Sequence, residues 1–300
     1  MYIILPVGVE HRAHRYPIVT FTFMGICTVI FLVFFGLELP QGETVTEWEL
    51  STLWLTPSLS YFWTYVTSLF VHADFFHLLG NMMFLFLFGS CVEDKIGRAR
   101  FLAFYLMGGI VSSLIQILAT PFGFHSEIPI GGASGAISAC IGGFLPYFWN
   151  TKIEFKYFWF IVVRFGSGEF FVPAWLVIAF WFGKDLWGAL GAASETQDRG
   201  GVAFAAHAGG TLFGLAVIGI ERALSKRREA REAQLEVADA TERSLKPTLM
   251  VLADGQQYGP FNRAQIREMV DLGSLPADAF FWCDGMPDWQ PISSLLDRQT

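Results

Sequence analysis

Charged side chains are scarce in this 300-residue sequence, and their scarcity is uneven. They make up 16% of the residues, whereas a soluble domain usually carries about 25%. Long windows without charge alternate with short charged stretches, a pattern typical of several membrane-spanning helices. The composition therefore argues against an ordinary water-soluble protein, and the 31 Phe residues fit a surface that faces lipid.

Paired cysteines are also missing, and no secretory signal peptide is obvious in the sequence. Cys27, Cys91, Cys140 and Cys283 show no paired spacing and mostly lie in apolar windows. This spacing predicts neither a disulfide framework nor a zinc site. The first apolar run lacks a small-residue cleavage site, so we expect it to be retained as a membrane span.

Six windows between charges approach the roughly 20 apolar residues that cross a bilayer core. The fifth window is the weakest, because Lys184 and Asp185 interrupt it. We therefore predict an all-α membrane domain of six spanning helices. The windows lie at residues 18–37, 74–93, 100–127, 132–150, 170–190 and 199–221.

The basic residues predict the orientation of these spans, because cytoplasmic loops collect Lys and Arg. With the N-terminus inside, 13 flanking basic residues fall on the cytoplasmic side and two, Lys184 and Arg199, fall outside. Both termini are then cytoplasmic. The inside residues are Arg12, Arg15, Lys95, Arg98, Arg100, Lys152, Lys156, Arg164, Arg222, Lys226, Arg227, Arg228 and Arg231.

The same pattern divides the chain into four segments. We expect a cytoplasmic N-terminus at 1–17, the membrane domain at 18–223, a solvated helical linker at 224–246 and a separate cytoplasmic domain at 247–300. The external loop from Glu38 to Asp74 is rich in aromatic residues, which prefer the headgroup zone. We expect this loop to lie partly in the outer interface.

A few polar residues interrupt the apolar spans, and such residues are functional candidates by default. His77 and Asn81 are four positions apart at the start of the second span, so they share one helix face. Ser134 opens the fourth span within Gly131-Gly132-Ala133-Ser134-Gly135, and His207 opens the sixth. The predicted topology places His77, Ser134 and His207 at a similar shallow depth below the outer surface.

Ser134 and His207 predict nucleophilic catalysis. A serine hydroxyl is a weak nucleophile and needs a base to accept its proton, a role that the neutral imidazole of His207 can fill. No Asp or Glu is expected beside His207, which favours a dyad over a triad. No cofactor or metal is needed, and the basic run after the sixth span does not predict a nucleic-acid partner.

The glycines near both residues predict close packing. Gly210 and Gly214 are spaced for a tight helix–helix contact, which would bring the sixth span against the fourth. Gly132 and Gly135 flank Ser134, where backbone N–H groups are free at the start of a helix. Those groups, with His77 and Asn81, can stabilise the oxyanion that forms when a carbonyl is attacked.

These motifs resemble those of the rhomboid family of intramembrane serine proteases over about residues 15–223. The resemblance implies that Ser134 is the nucleophile and His207 the base, with His77, Asn81 and the Ser134 N–H as the oxyanion hole. It implies a structural role for Glu93 and cleavage of transmembrane proteins near their outer ends. His72 would support the site. The family and the tail together imply a bacterial inner membrane.

The tail at about 248–296 resembles a small GYF-like domain. Gly259-Pro260-Phe261 and the run from Trp282 to Trp289 carry the resemblance. It implies a small α+β fold, and an aromatic cluster of this type can receive a Pro-containing segment.

Two other functions remain open at this stage. His72, His77 and His207 could act as metal ligands in a membrane hydrolase, although His72 and His77 point about 140° apart on an ideal helix. Alternatively, the chain is a silent rhomboid-like protein that binds membrane clients. Such proteins typically lack the serine or the histidine, and both are present here.

Overall fold

A computed structural model of the chain describes residues 2–10, 14–36, 53–56, 61–119, 129–161, 164–194, 203–246 and 248–296. The chain divides into two separately packed units, Met1–Ala223 and Leu224–Thr300. Most of the predicted aromatic loop, including Trp48, lies outside the described residues. The predicted boundaries of the four segments stay predictions.

The first unit is mostly helical, as the sequence predicts. A turn of 3-10 helix at Ser68–Phe70 and a π-helical turn at Leu85–Gly89 connect some of its helices. The helices are α1 (Ile18–Gly36), α2 (Thr64–Thr67), α3 (Phe75–Phe84), α4 (Ser90–Ile96), α5 (Arg98–Ala119), α6 (Ser134–Phe148), α7 (Ala174–Ser194) and α8 (Phe204–Leu245).

Three stretches of helix within the described residues are long and apolar enough to cross a membrane. They are Phe75–Ile96, Arg98–Ala119 and Phe204–Thr241. The apolar segments Ile18–Phe34 and Ser134–Phe148 are shorter. The predicted count of six spans therefore stays a prediction.

A three-stranded antiparallel sheet is the main departure from the predicted all-α unit. Its strands are β1 (Tyr2–Val9), β2 (Lys152–Ile161) and β3 (Arg164–Pro173), with β2 in the centre. Polar Lys152, Glu154 and Lys156 alternate with apolar side chains along β2, which is the period of a strand. The same charges also predict a cytoplasmic loop, so they do not distinguish a loop from a strand. The helix of the fifth window consequently begins at Ala174 and not at Phe170.

Glu93 connects α4 to the start of α1. Its carboxylate accepts hydrogen bonds from the backbone N–H groups of Val19 and Thr20 at 3.0 and 2.8 Å, and from the Thr20 hydroxyl at 2.7 Å. Glu93 is 3% exposed. Because the first N–H groups of a helix have no partner within the helix, this buried carboxylate caps α1 and complements its dipole. Glu93 therefore holds α1 against α4.

Helices α6 and α8 approach each other through glycine. A Cβ atom added to Gly214 would lie 1.9 Å from the backbone oxygen of Ala139, and one added to Gly142 would lie 1.9 Å from that of Thr211. Both distances are shorter than any side chain tolerates. Only residues without a Cβ permit this separation of the two backbones.

The second unit is a four-stranded antiparallel sheet with two short helices, an α+β arrangement. The elements are β4 (Leu249–Ala253), β5 (Gln256–Phe261), α9 (Arg263–Asp271), β6 (Phe280–Trp282), β7 (Gln290–Pro291) and α10 (Ile292–Leu296). The sheet order is β5-β4-β6-β7. The core of the unit contains Val251, Ile266, Phe281 and Ile292, all buried. Asn262 starts α9 with a capping box, in which its side chain accepts from the N–H of Gln265.

The close contact between α6 and α8 predicts a strong effect of one added methyl group. Gly214→Ala should lower the free energy of unfolding by about 1–3 kcal/mol, because the backbones must separate. Thermal unfolding in detergent, followed by circular dichroism, measures the change. Gly219→Ala on the same helix is the control, because its Cβ would meet nothing closer than Pro146 at 3.9 Å. Equal midpoints for the two variants would contradict the role assigned to the contact.

Candidate active site

Ser134 and His207 are in direct contact, although they are 73 residues apart in the chain. Ser134 is the first residue of α6, and His207 lies in the first turn of α8. The distance from His207 Nε2 to Ser134 Oγ is 2.8 Å. A Cβ added to Gly210 would lie 2.4 Å from the backbone oxygen of Gly135. The glycines next to the two residues thus bring the ends of the helices together.

The contact between Ser134 and His207 allows the serine hydroxyl to donate its proton to the imidazole. With Nε2 unprotonated, the Ser134 hydroxyl donates to it, and the remaining proton of the neutral ring is on Nδ1. This is the arrangement in which a histidine can accept the proton of a serine nucleophile. The side chain of His207 is 18% exposed, so the pair is shielded but not sealed from solvent.

Asp185 of α7 lies on the other side of the imidazole. Its Oδ1 atom is 3.6 Å from His207 Nδ1, and Lys184 Nζ is 2.9 Å from the same oxygen. The expectation that no carboxylate lies beside His207 is therefore wrong. The signal was present in the sequence, because a charge within an apolar window is a functional candidate. By hydropathy alone, Asp185 only weakens the prediction of the fifth span.

His77 and Asn81 of α3 meet next to Gly132, two residues before the serine. A Cβ on Gly132 would lie 2.8 Å from His77 Nε2 and 3.5 Å from Asn81 Nδ2, and its φ of 114° is unfavourable for other residues. Asn81 is 8% exposed, and its Nδ2 has no hydrogen-bond partner among the described residues. Two side-chain donors therefore converge beside the start of α6.

Hydrogen bonds to the backbone hold α3 and the segment before Ser134 in place. The side chain of Asp74 caps α3 by accepting from the N–H of His77 at 2.9 Å. The N–H of Gly132 donates to the carbonyl of Ser68 at 2.8 Å, and Leu55 pairs with Ile130 in a short antiparallel bridge. Short segments from the predicted external loop thus position the chain that leads into Ser134.

His72 forms a second layer behind His77. The two rings lie 5.2 Å apart in an edge-to-face arrangement, and His72 is 6% exposed. Burial lowers the pKa of His72 to about 4, and the proximity of His77 acts in the same direction. His72 is consequently neutral at physiological pH. It contacts His77 and is not placed against Ser134 or His207 by any described contact.

The remaining predicted residues lie around the site or apart from it. The predicted residue Gly135 accepts a hydrogen bond at its backbone oxygen from Ser112 Oγ of α5 at 3.1 Å, which supports the first turn of α6. Glu93 caps α1 and does not contribute to the site. Within the described residues, no group of three or more His, Cys, Asp or Glu side chains is arranged to hold a metal ion.

Family models match two parts of the chain. Residues 59–223, more than half of the chain, match the model of the Rhomboid domain, and residues 250–296 match that of GYF domain 2. Both resemblances noted in the sequence are thereby confirmed.

Several curated proteins are similar to the first of these parts. The chain is 36% identical over 129 residues to "Rhomboid protease GluP" and 34% identical over 136 residues to "Putative rhomboid protease YdcA", both of Bacillus subtilis. It is 30% identical over 169 residues to "Rhomboid protein 1, mitochondrial" of Saccharomyces cerevisiae. These matches cover 42%, 43% and 55% of this chain. They cover 24%, 62% and 44% of the relatives, which is less than two thirds of each.

The contact at Gly132 predicts that a methyl group there disturbs the reactivity of Ser134. Gly132→Ala should slow labelling of Ser134 by a fluorophosphonate probe about tenfold or more, because strained backbone of this type costs roughly 1–3 kcal/mol. The displaced His77 ring adds to the effect. Gly80→Ala is the control, because a Cβ at Gly80 meets nothing within 4 Å. Labelling of Gly132→Ala at the control rate would contradict the geometry described.

Proposed function

This chain belongs to the rhomboid family, and on that premise we propose that it is an intramembrane serine endopeptidase with a Ser134–His207 catalytic pair. The observation that carries the proposal is the 2.8 Å contact between Ser134 Oγ and His207 Nε2. A nucleophile within hydrogen-bond reach of its base is the signature of covalent catalysis.

The proposed reaction has two stages. His207 takes the proton of the Ser134 hydroxyl as Oγ attacks the peptide carbonyl, and the resulting imidazolium gives that proton to the leaving amine. An acyl-enzyme remains on Ser134. Water then attacks this ester with His207 again as base, which releases the new carboxyl end and restores the serine.

An oxyanion hole formed by His77, Asn81 and the Ser134 N–H is the second part of the proposal. Two observations support it. The Asn81 amide is buried without a hydrogen-bond partner among the described residues, and buried donors of this kind need a partner. The N–H of Ser134 is at the start of α6, where helical N–H groups are unpaired and the dipole favours negative charge. One such donor is worth about 10²–10³ in kcat.

The substrates, in this proposal, are transmembrane proteins cut near their outer ends. Family membership makes the chain a multi-pass membrane protein. The proposed topology has six spans with both termini in the cytoplasm of a bacterial cell, and the asymmetry of 13 basic residues inside against two outside supports it. Under this topology, Ser134 and His207 are near the outer face.

The GYF domain is proposed to bind a Pro-containing segment of a protein partner. Rings of Trp282 and Trp289 lie 6.5 Å apart, and Tyr258 is 43% exposed. Grooves lined by aromatic rings recognise the extended helix that proline-rich peptides adopt.

Cleavage of a reporter transmembrane substrate tests the catalytic pair. Wild type should cut the reporter, and Ser134→Ala and His207→Ala should each lower kcat by about 10³-fold or more, the loss typical of removing a nucleophile or its base. Ser113→Ala on α5 is the control, a buried serine outside the site.

Two outcomes would overturn the proposal in different ways. A wild type that cuts no reporter and takes no serine-reactive probe would favour a silent client-binding protein. Activity that survives Ser134→Ala but is lost with a chelator would favour a metal-dependent hydrolase.

Binding of a fluorescent polyproline peptide to the full-length protein in detergent tests the tail. Deletion of residues 248–300 should abolish the binding signal, and Tyr258→Ala should weaken it about tenfold, a loss that one aromatic contact at the centre of an interface can cause. Probe labelling of Ser134 should stay unchanged in both variants. Equal peptide binding by wild type and the deletion would contradict the assignment.

A further inference from the structure

Asp185 is a buried carboxylate in an apolar helix that the proposed reaction does not yet use. It is 8% exposed and lies on α7, within the weakest of the predicted spans. A charge in such a place is costly and is normally kept for a function or paired with another charge. Asp185 has such a charged neighbour in Lys184, and the same oxygen, Oδ1, that contacts Lys184 also lies near His207.

The geometry determines what Asp185 can do to the imidazole. When His207 Nε2 accepts from the Ser134 hydroxyl, as the proposed reaction requires, the proton of the neutral ring is on Nδ1, the atom 3.6 Å from Asp185 Oδ1. This distance is too long for a hydrogen bond but within the range of an ion pair. Catalytic hydrogen bonds are often long without substrate and shorten when it binds.

We propose that Asp185 is a positioning residue for His207, holding the Nδ1–H of the ring and stabilising the imidazolium that forms when Ser134 loses its proton. The inference rests on the proposed protease function. Asp185 stays ionised and takes no proton itself. Its effect on the reaction passes through His207 alone.

Lys184 determines how strongly this carboxylate acts. Its Nζ is 2.9 Å from Asp185 Oδ1 and 5.6 Å from the ring centre of Phe204 on α8, and its side chain is 53% exposed. Lys184 therefore neutralises part of the charge that Asp185 presents to His207. Ser134 of α6 faces the other nitrogen of the ring, and His77 of α3 lies beside Gly132, two residues before Ser134. These are the polar and titratable groups that the described contacts place around the imidazole.

A merely structural role for Asp185 makes different predictions. The same contacts also connect α7 to α8. Lys184 lies near Phe204, and Asp185 lies near His207. If that connection were all, removing either charged group would lower stability and leave the pH dependence of the chemistry unchanged. If Asp185 acts on His207, the two charges must affect the protonation of the imidazole in opposite directions.

The pH dependence of kcat/KM for reporter cleavage separates the two roles. The proposed mechanism needs an unprotonated Nε2 on His207 to accept the serine proton. The acid limb of the profile is the range at low pH over which activity rises. Removing the negative charge in Asp185→Asn makes the imidazolium less stable, so this acid limb should move to lower pH. Removing the positive charge in Lys184→Gln should move that limb to higher pH. Asp185→Glu keeps the charge and should retain the wild-type limb.

The rate gives a second readout. Asp185→Asn should lower kcat about 10- to 100-fold with little change in KM, the loss typical when the partner of a functional histidine is removed. The loss should be smaller than the roughly 10⁴-fold seen for a hydrogen-bonded triad, because the contact is longer. Active enzyme is counted by fluorophosphonate labelling taken to completion. Glu169→Gln, on the exposed face of β3, is the control for loss of a carboxylate elsewhere in the same unit.

The outcomes distinguish this inference from the proposed function. A wild type without cleavage would overturn both. Cleavage by Asp185→Asn at the wild-type kcat and pH profile would overturn the positioning role alone. A lowered unfolding midpoint with unshifted acid limbs in both Asp185→Asn and Lys184→Gln would overturn it too. If Asp185→Asn does not fold, Lys184→Gln still decides, because an unshifted limb in that variant contradicts the inference.

Discussion

The close approach of α6 and α8 is the contact on which the candidate site depends, because Ser134 and His207 lie at the start of each helix. Glycine at Gly142 and Gly214 allows backbone atoms to meet where any Cβ would collide. In a bilayer, lipid tails are as apolar as the helices, so small residues and close van der Waals packing provide the association. The 2.8 Å contact of the two functional side chains follows from this packing.

Several features around this pair are unfavourable for the stability of the fold. Gly132 has a φ of 114°, Asn81 buries an amide without a described partner, and Asp185 buries a carboxylate. Each costs folding free energy on its own. Their convergence on one end of α6 is the arrangement expected of a preorganised electrostatic site. Helix packing elsewhere in the unit, including the cap that Glu93 provides for α1, offsets these costs.

Ordinary sequence patterns anticipated much of the first unit. Apolar windows predicted its helices, and polar residues within those windows identified Ser134, His207, His77 and Asn81, which the structure brings together. The sheet of β1, β2 and β3 was not predicted, because its charged residues were used only to orient the spans. Strand pairing joins residues 2–9 to residues 152–161, and such long-range pairing leaves little local signal.

Composition and spacing by themselves predicted the apolar helices, the candidate residues Ser134 and His207 and a separate tail, since these properties depend on local hydropathy and residue type. Tertiary structure alone decided that Asp185 lies beside His207. The two residues are on different helices, and their charges interact only because helix packing places Oδ1 3.6 Å from Nδ1. The predicted pair of Ser134 and His207 therefore has a charged neighbour, Asp185. Coulomb interactions depend on distance in space and not on distance along the chain.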